Sequence, residues 1–142
     1  LKIAVIILSF CCLYAKSTVT YVIDGDTFKV NDNGIEKTIR MSGIDTPETK
    51  HPYRSIECYG QEASLELDNL LHNKTIQLDY QGKDIYNRYL AYVYVDGMSI
   101  NEYMIFNGYA VHTKYPHKYQ AKYSKLETIA QHENVGLWQH CR

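Results

Sequence analysis

The sequence is poor in the residues that build metal clusters and linkers. It has four cysteines, three prolines and one tryptophan among 142 residues. No C-x-x-C occurs and the six histidines are scattered, so nothing has the spacing of a zinc site. Repeats, low-complexity tracts and linker-like stretches are missing too, which leaves one compact domain. Charge of one sign is also missing. The 15 basic and 16 acidic side chains give a net charge of −1. The global charge therefore carries no nucleic-acid footprint, and any polyanion site must be a local cluster. The apolar run at residues 1–15 is too short for a comfortable membrane span.

That run, LKIAVIILSFCCLYA, has the form of a secretory signal peptide. Lys2 gives the positive start and Ala15 a small residue at the cut. Cys11 and Cys12 raise a lipoprotein reading, but bulky Phe10 stands where a small residue is expected. Removing residues 1–15 takes away Lys2 and no acid, so the net charge moves from −1 to −2. The expectation is an exported protein, periplasmic or secreted. Residues 16–142 would form a single domain with no stable membrane partner, and one compact domain favours a monomer. Two cysteines then remain, Cys58 and Cys141. In an oxidising compartment an even pair suggests one disulfide; two free thiols are the alternative.

Tyrosine is the residue in excess, 14 of 142. Its ring suits half-buried strands and also base-stacking surfaces. Along the chain, Thr18–Val30 reads as one strand with a bend at Gly25. Asn31–Gly34 is a turn and Ile35–Met41 a returning strand. Helical spacing begins near Cys58, with Ala63, Leu67, Leu70 and Leu71 on one face and Glu62, Glu66 and Asp68 toward water. Thr75–Tyr80 alternates as a strand, and RYLAYVYV is another. Ser99 and Glu102 form a capping box for a short helix ending at Gly108. Tyr109–His112 is a candidate short strand, and a last helix covers about 118–133. The fold class is α+β: five or so strands with interposed helices, as in a small closed barrel.

Three polar clusters interrupt this apolar pattern. Asp24 and Asp26 flank Gly25, and like charges that close repel unless a cation or hydrogen bonds sit between them. A D-G turn is the plainer reading, weakened because no hairpin partner of suitable length stands out. In IRMSGIDTPETKH, Arg40 sits at a strand end, and Asp45 and Glu48 bracket Thr46-Pro47. Hard oxygen ligands of this kind suit Ca²⁺ or Mg²⁺; a solvated acidic loop is the alternative. Arg88 opens the RYLAYVYV strand and offers the planar fork that matches phosphate. Together these supply two carboxylates for a metal, a third to remove a proton, and two guanidiniums for a phosphate. Phosphodiester hydrolysis needs that inventory.

DGDT, IRMSGIDTPET, YGQEA, YNRYLAYVY and GLW follow one another in order. In that set, over roughly residues 18–138, the chain resembles the staphylococcal nuclease (thermonuclease) family. The resemblance implies an OB-fold barrel of five strands with three helices. It implies a Ca²⁺-dependent nuclease acting on DNA and RNA, preferring single strands and leaving 3′-phosphates. Asp26 and Asp45 match metal ligands, and Thr46 a carbonyl ligand. Glu48 matches the proposed general base, Arg40 and Arg88 the phosphate-binding pair, and Asp24 a supporting acid. Tyr86 matches a contact to a terminal phosphate. Asn87 stands where the family often has Gly. After Gly108 the likeness fades, and only Tyr115 matches a nucleotide-pocket tyrosine.

Lys-Tyr then recurs at Lys114-Tyr115, Lys118-Tyr119 and Lys122-Tyr123. On a helix this spacing makes stripes. Tyr119 and Tyr123 read as packed on the barrel with solvated lysines, and Tyr115 as a substrate contact. Lys50 and Lys83 flank the expected site and could attract substrate at low salt. A binding module that has lost its acids is the competing reading. The full set Arg40, Asp45, Glu48 and Arg88 speaks against it. Oxygen ligands alone do not choose Ca²⁺ over Mg²⁺.

Overall fold

The computed structural model describes residues 16–50, 52, 53 and 55–141; the expected signal peptide, residues 1–15, lies outside them. In chain order the elements are β1 (Lys16–Asp24), β2 (Thr27–Asp32), β3 (Ile35–Met41), β4 (Ile44–Asp45), α1 (Gly60–Leu71) and β5 (Thr75–Lys83). They continue with β6 (Tyr89–Val95), β7 (Met98–Ser99), α2 (Ile100–Phe106), β8 (Val111–His112), α3 (Gln120–His132) and a single turn, α4 (Leu137–His140). The sheet runs β3-β2-β1-β5-β6, and a parallel β3–β6 pairing closes it. The result is the expected α+β architecture, a five-stranded mixed barrel with three substantial helices. Closure removes the exposed sheet edges that would otherwise invite aggregation.

One strand expectation is corrected. Thr18–Val30 is not a single strand bent at Gly25. It is a hairpin, with Gly25-Asp26 as its two-residue turn and Asp24 opposite Thr27. β2 is the partner the sequence seemed to lack. The register shifts lie between Val19 and Tyr21 and between Val22 and Asp24, so irregularity in β1 hides the pairing. Gly25 has a second reason to be Gly. A Cβ there would come within 2.8 Å of Thr46 Oγ1 and 2.9 Å of the Ala63 Cβ. The turn therefore packs flush between the Thr46 loop and α1.

The core sits inside the barrel and under the helices. Phe28, Val30, Ile39, Ile76 and Val93 are fully buried from the strands. On α1 the i, i+4, i+8 series Ala63, Leu67 and Leu71 is fully buried against them. Glu66 is only half-exposed, because its carboxylate accepts a hydrogen bond from the Tyr103 hydroxyl at 2.7 Å. The capping box is half made. Ser99 Oγ accepts the Glu102 N–H at 3.3 Å, whereas the Glu102 carboxylate turns to Lys122 Nζ at 2.7 Å. On α3 Tyr123 is buried, and Tyr119 and Tyr123 meet the Tyr92 ring edge-on at 4.8 and 6.2 Å. Their lysine neighbours are ion-paired rather than merely solvated: Lys118 to Asp79 and Lys122 to Glu102. Among the described residues no helix is long and apolar enough to cross a membrane.

Asn101, fully buried, ties this frame to the loop after β3. Its Nδ2 donates to Ser42 O at 2.8 Å and its Oδ1 accepts the Val93 N–H at 2.9 Å. Asn101→Leu removes both partners while leaving two buried backbone groups. The expected cost is about 2–6 kcal/mol of unfolding free energy, at about 1–3 kcal/mol per orphaned group. Urea denaturation checks it through a lower midpoint.

Candidate active site

The two-residue turn places Asp26 beside the exit of β3. Its backbone carbonyl accepts the Met41 N–H at 2.9 Å, and Thr27 pairs with Arg40 across the strands. The buried Asp26 carboxylate accepts the Thr27 hydroxyl and the Thr46 N–H, each at 2.9 Å. Arg40 Nη2 stands 3.2 Å from the same carboxylate and also pairs with Asp45. Arg40 Nη1 donates to Met41 O and Ile44 O at 2.9 and 2.8 Å. One guanidinium thus ties the strand end, the turn and two acids into a single unit. β4 fixes Asp45 from the other side, since Ile44 and Asp45 pair with His112 and Val111 of β8.

Asp24 braces the next turn. Thr49 donates to it through its hydroxyl at 3.0 Å and its N–H at 3.4 Å. Glu48 lies between these groups and the helix. Burial, then the hydrogen bond and charge of Asp24, then the charges of Asp26 and Glu57, push its carboxyl up to about 7. Asp45 is also raised, by burial first; Arg40 opposes the rise and Asp26 adds to it. Asp24, Asp26 and Glu57 thus act on Glu48, and Arg40 pairs with Asp26 and Asp45.

Arg88 reaches the site from the β5–β6 loop. Its Nε donates to Asp84 Oδ2 at 2.7 Å, and Asp84 Oδ1 accepts the N–H groups of Tyr86 and Arg88 at 2.9 and 3.0 Å. Burial pushes the Asp84 carboxyl up, but the Arg88 hydrogen bonds and charge outweigh it and hold it below the usual range. The loop needs a left-handed residue, and Asn87 supplies it at φ 63°. Asn tolerates that region better than most side chains, which explains how it stands in for Gly.

Arg40, Asp45, Asp84, Arg88 and Tyr115 line one cleft of about 470 Å³. Asp26 touches it through Arg40, and Thr46 follows Asp45 in the chain. Tyr86 and Glu48 are exposed and are not among the lining residues; the Arg88 guanidinium lies 5.4 Å from the Tyr86 ring centre. Lys50 and Lys83 are not among the lining residues. Lys50 Nζ donates to Tyr21 OH at 2.9 Å, and Lys83 Nζ lies on the Tyr89 ring and donates to Asn87 Oδ1. Three polar residues of the site went unread in the sequence: Asp84, Thr49 and Glu57. Asp84 had one visible signal, its spacing of four from Arg88. Cys58 and Cys141 are joined by a disulfide, which ties the entry of α1 to the chain end.

The family model described as "Staphylococcal nuclease homologue" matches residues 38–140. The chain belongs to this family. It is 39% identical over 127 residues to the SPbeta prophage-derived endonuclease YokF of Bacillus subtilis, covering 85% of this chain and 43% of that one. It is 36% identical over 131 residues to endonuclease YncB of the same organism, covering 85% and 60%. With the thermonuclease of Staphylococcus hyicus it shares 38% over 121 residues, covering 82% and 72%. The chain thus spans well under two thirds of the first two relatives' length. In this chain Arg40 and Arg88, far apart in sequence, arrive together at the cleft.

Proposed function

We propose that this cleft hydrolyses phosphodiester bonds of DNA and RNA, single strands by preference, and leaves 3′-phosphates. The observation that carries the reading is the convergence of Arg40 and Arg88 on one cleft walled by Asp45. The donor set fits a hard cation: the Asp26 and Asp45 carboxylates and the Thr46 carbonyl are all oxygens. The crowding that raises Asp45 and Glu48 is also what a cation relieves. Among the described residues no three His, Cys, Asp or Glu side chains close a cage. Ca²⁺ held there supplies Lewis-acid polarisation of a phosphoryl oxygen.

The chain's own groups do the rest. Glu48 takes the proton of the attacking water as general base. Arg40 and Arg88 donate N–H bonds to the oxygens on which charge builds. Asp26 and Asp24 hold the turn in register through Thr46 and Thr49. Exposed Tyr115, on the cleft wall, and exposed Tyr86, beside Arg88, offer ring faces to bases. Lys50 and Lys83 sit outside and steer substrate at low salt. The disulfide supports an exported protein, since such bonds persist in oxidising compartments.

The test is digestion of single-stranded DNA with Ca²⁺, with Mg²⁺ and with a chelator, followed by identification of the new ends. The expected result is cleavage with Ca²⁺, none with chelator, and 3′-phosphate ends. Cleavage by Mg²⁺ alone would overturn the Ca²⁺ assignment. No cleavage by the folded protein in any condition would overturn the nuclease reading and leave a binding module.

A further inference from the structure

Both backbone groups of Glu48 are held by one residue. Glu57 Oε2 accepts the Glu48 N–H at 3.0 Å, and the Glu57 N–H donates to Glu48 O at 2.9 Å. Directly after Glu57 comes Cys58, bonded to Cys141. After Tyr59, α1 begins at Gly60. A Cβ at Gly60 would lie 3.0 Å from the carbonyl oxygens of Pro47 and Glu48, so the helix start is pressed against the same peptide. Tyr59 takes a left-handed conformation, φ 70°, and stacks on His140 at 5.6 Å, beside the far end of the disulfide.

We infer that Glu57 is a positioning residue for Glu48, and that the Cys58–Cys141 disulfide keeps Glu57 in place. The inference rests on reading Glu48 as the group that activates water. Glu57 is exposed, and a lone exposed hydrogen bond holds little. Its effect depends on its backbone being fixed. The disulfide does that by bonding its chain neighbour to the C-terminal segment. That segment is itself anchored, since Leu137 N–H donates to Gly108 O at 2.8 Å. A small second cavity, about 400 Å³, is lined by Thr46, Pro47, Glu57, Cys58 and Cys141. The disulfide and the catalytic turn thus line one space. A loop carrying a general base loses rate steeply when the base is misplaced by even about 1 Å.

The test compares Glu57→Ala, Glu57→Gln and the double variant Cys58→Ser/Cys141→Ser by steady-state kinetics on single-stranded DNA. Circular dichroism at the assay temperature confirms folding. Gln retains an acceptor oxygen for the Glu48 N–H, and Ala does not. The expected result is a kcat about 10-fold or more lower for Glu57→Ala, near wild type for Glu57→Gln, with KM unchanged in both. The cysteine double variant should behave as Glu57→Ala does. In a Glu48→Gln background, Glu57→Ala should have no further effect on kcat, because the group it positions is gone.

Equal kcat for Glu57→Ala and wild type would overturn the positioning role. A full kcat in the folded cysteine double variant would overturn the part given to the disulfide. An undiminished effect of Glu57→Ala on top of Glu48→Gln would show that Glu57 acts elsewhere. The Glu48 assignment is judged separately: a fully active Glu48→Gln sinks that reading, and the present inference with it.

Discussion

Glu48→Gln is expected to lower kcat on single-stranded DNA by about 10²–10⁴-fold, the usual worth of a positioned general base. The substitution keeps the size and shape of the side chain and removes only its capacity to take a proton. KM should change little, since Glu48 is assigned no contact with the bound phosphate. Nor should the fold suffer. Its backbone bonds to Glu57 involve groups that the substitution leaves alone. Removing a carboxylate from beside Asp24 also relieves repulsion, so the melting temperature should hold or rise. Steady-state kinetics with a thermal melt on the same sample decides it. Wild-type turnover in the folded variant would mean that water is activated by another group.

Much of this fold was legible because its strands and helices follow simple periods. Thr75–Tyr80 alternates and becomes β5; Ala63, Leu67 and Leu71 recur at helical spacing and become the buried stripe of α1. The site was legible where charged residues break those periods. Arg40, Asp45 and Arg88 stand out against apolar strands, and they line one cleft. The hairpin at Gly25-Asp26 was not legible, because the register shifts in β1 break the alternation that announces a partner. The two-residue strands β4 and β8 are too short to carry any period. Yet their pairing is what fixes Asp45.

The unread polar residues share one property: their partners are far away or lie within loops. Asn101 bonds to Ser42, 59 positions away, and nothing in a helix of sequence INEYMIF marks that asparagine from any other. Glu57 acts on Glu48 across a loop whose closure only the folded chain reveals. Asp84 looks like one more turn acid until its carboxylate is seen to accept three N–H groups. Sequence patterns report local periodicity and residue chemistry. They do not report which carboxylate faces a metal and which one aims an arginine.

That distinction decides how Arg88 should behave. Arg88→Ala is expected to lower kcat by about 10²–10³-fold, as for the loss of one preorganised donor to a charged transition state. Folding should barely change. The Arg88–Asp84 pair is partly exposed at 32% and 17%, and pairs of that kind contribute about 0–1 kcal/mol. Asp84 keeps its backbone bonds to residues 86 and 88 in the variant, so the loop keeps its shape. Arg88→Lys should recover only part of the loss. Its ammonium brings the charge but not the planar fork, and it cannot both donate to Asp84 and present two parallel N–H bonds to a phosphate. Asp84→Asn separates aim from charge: it leaves the guanidinium intact but removes the carboxylate that orients it. The expected order of kcat is wild type, Asp84→Asn, Arg88→Lys, Arg88→Ala. If Asp84→Asn were the slowest of the four, the acid itself would have to touch the substrate, and the roles assigned along this cleft would be reversed.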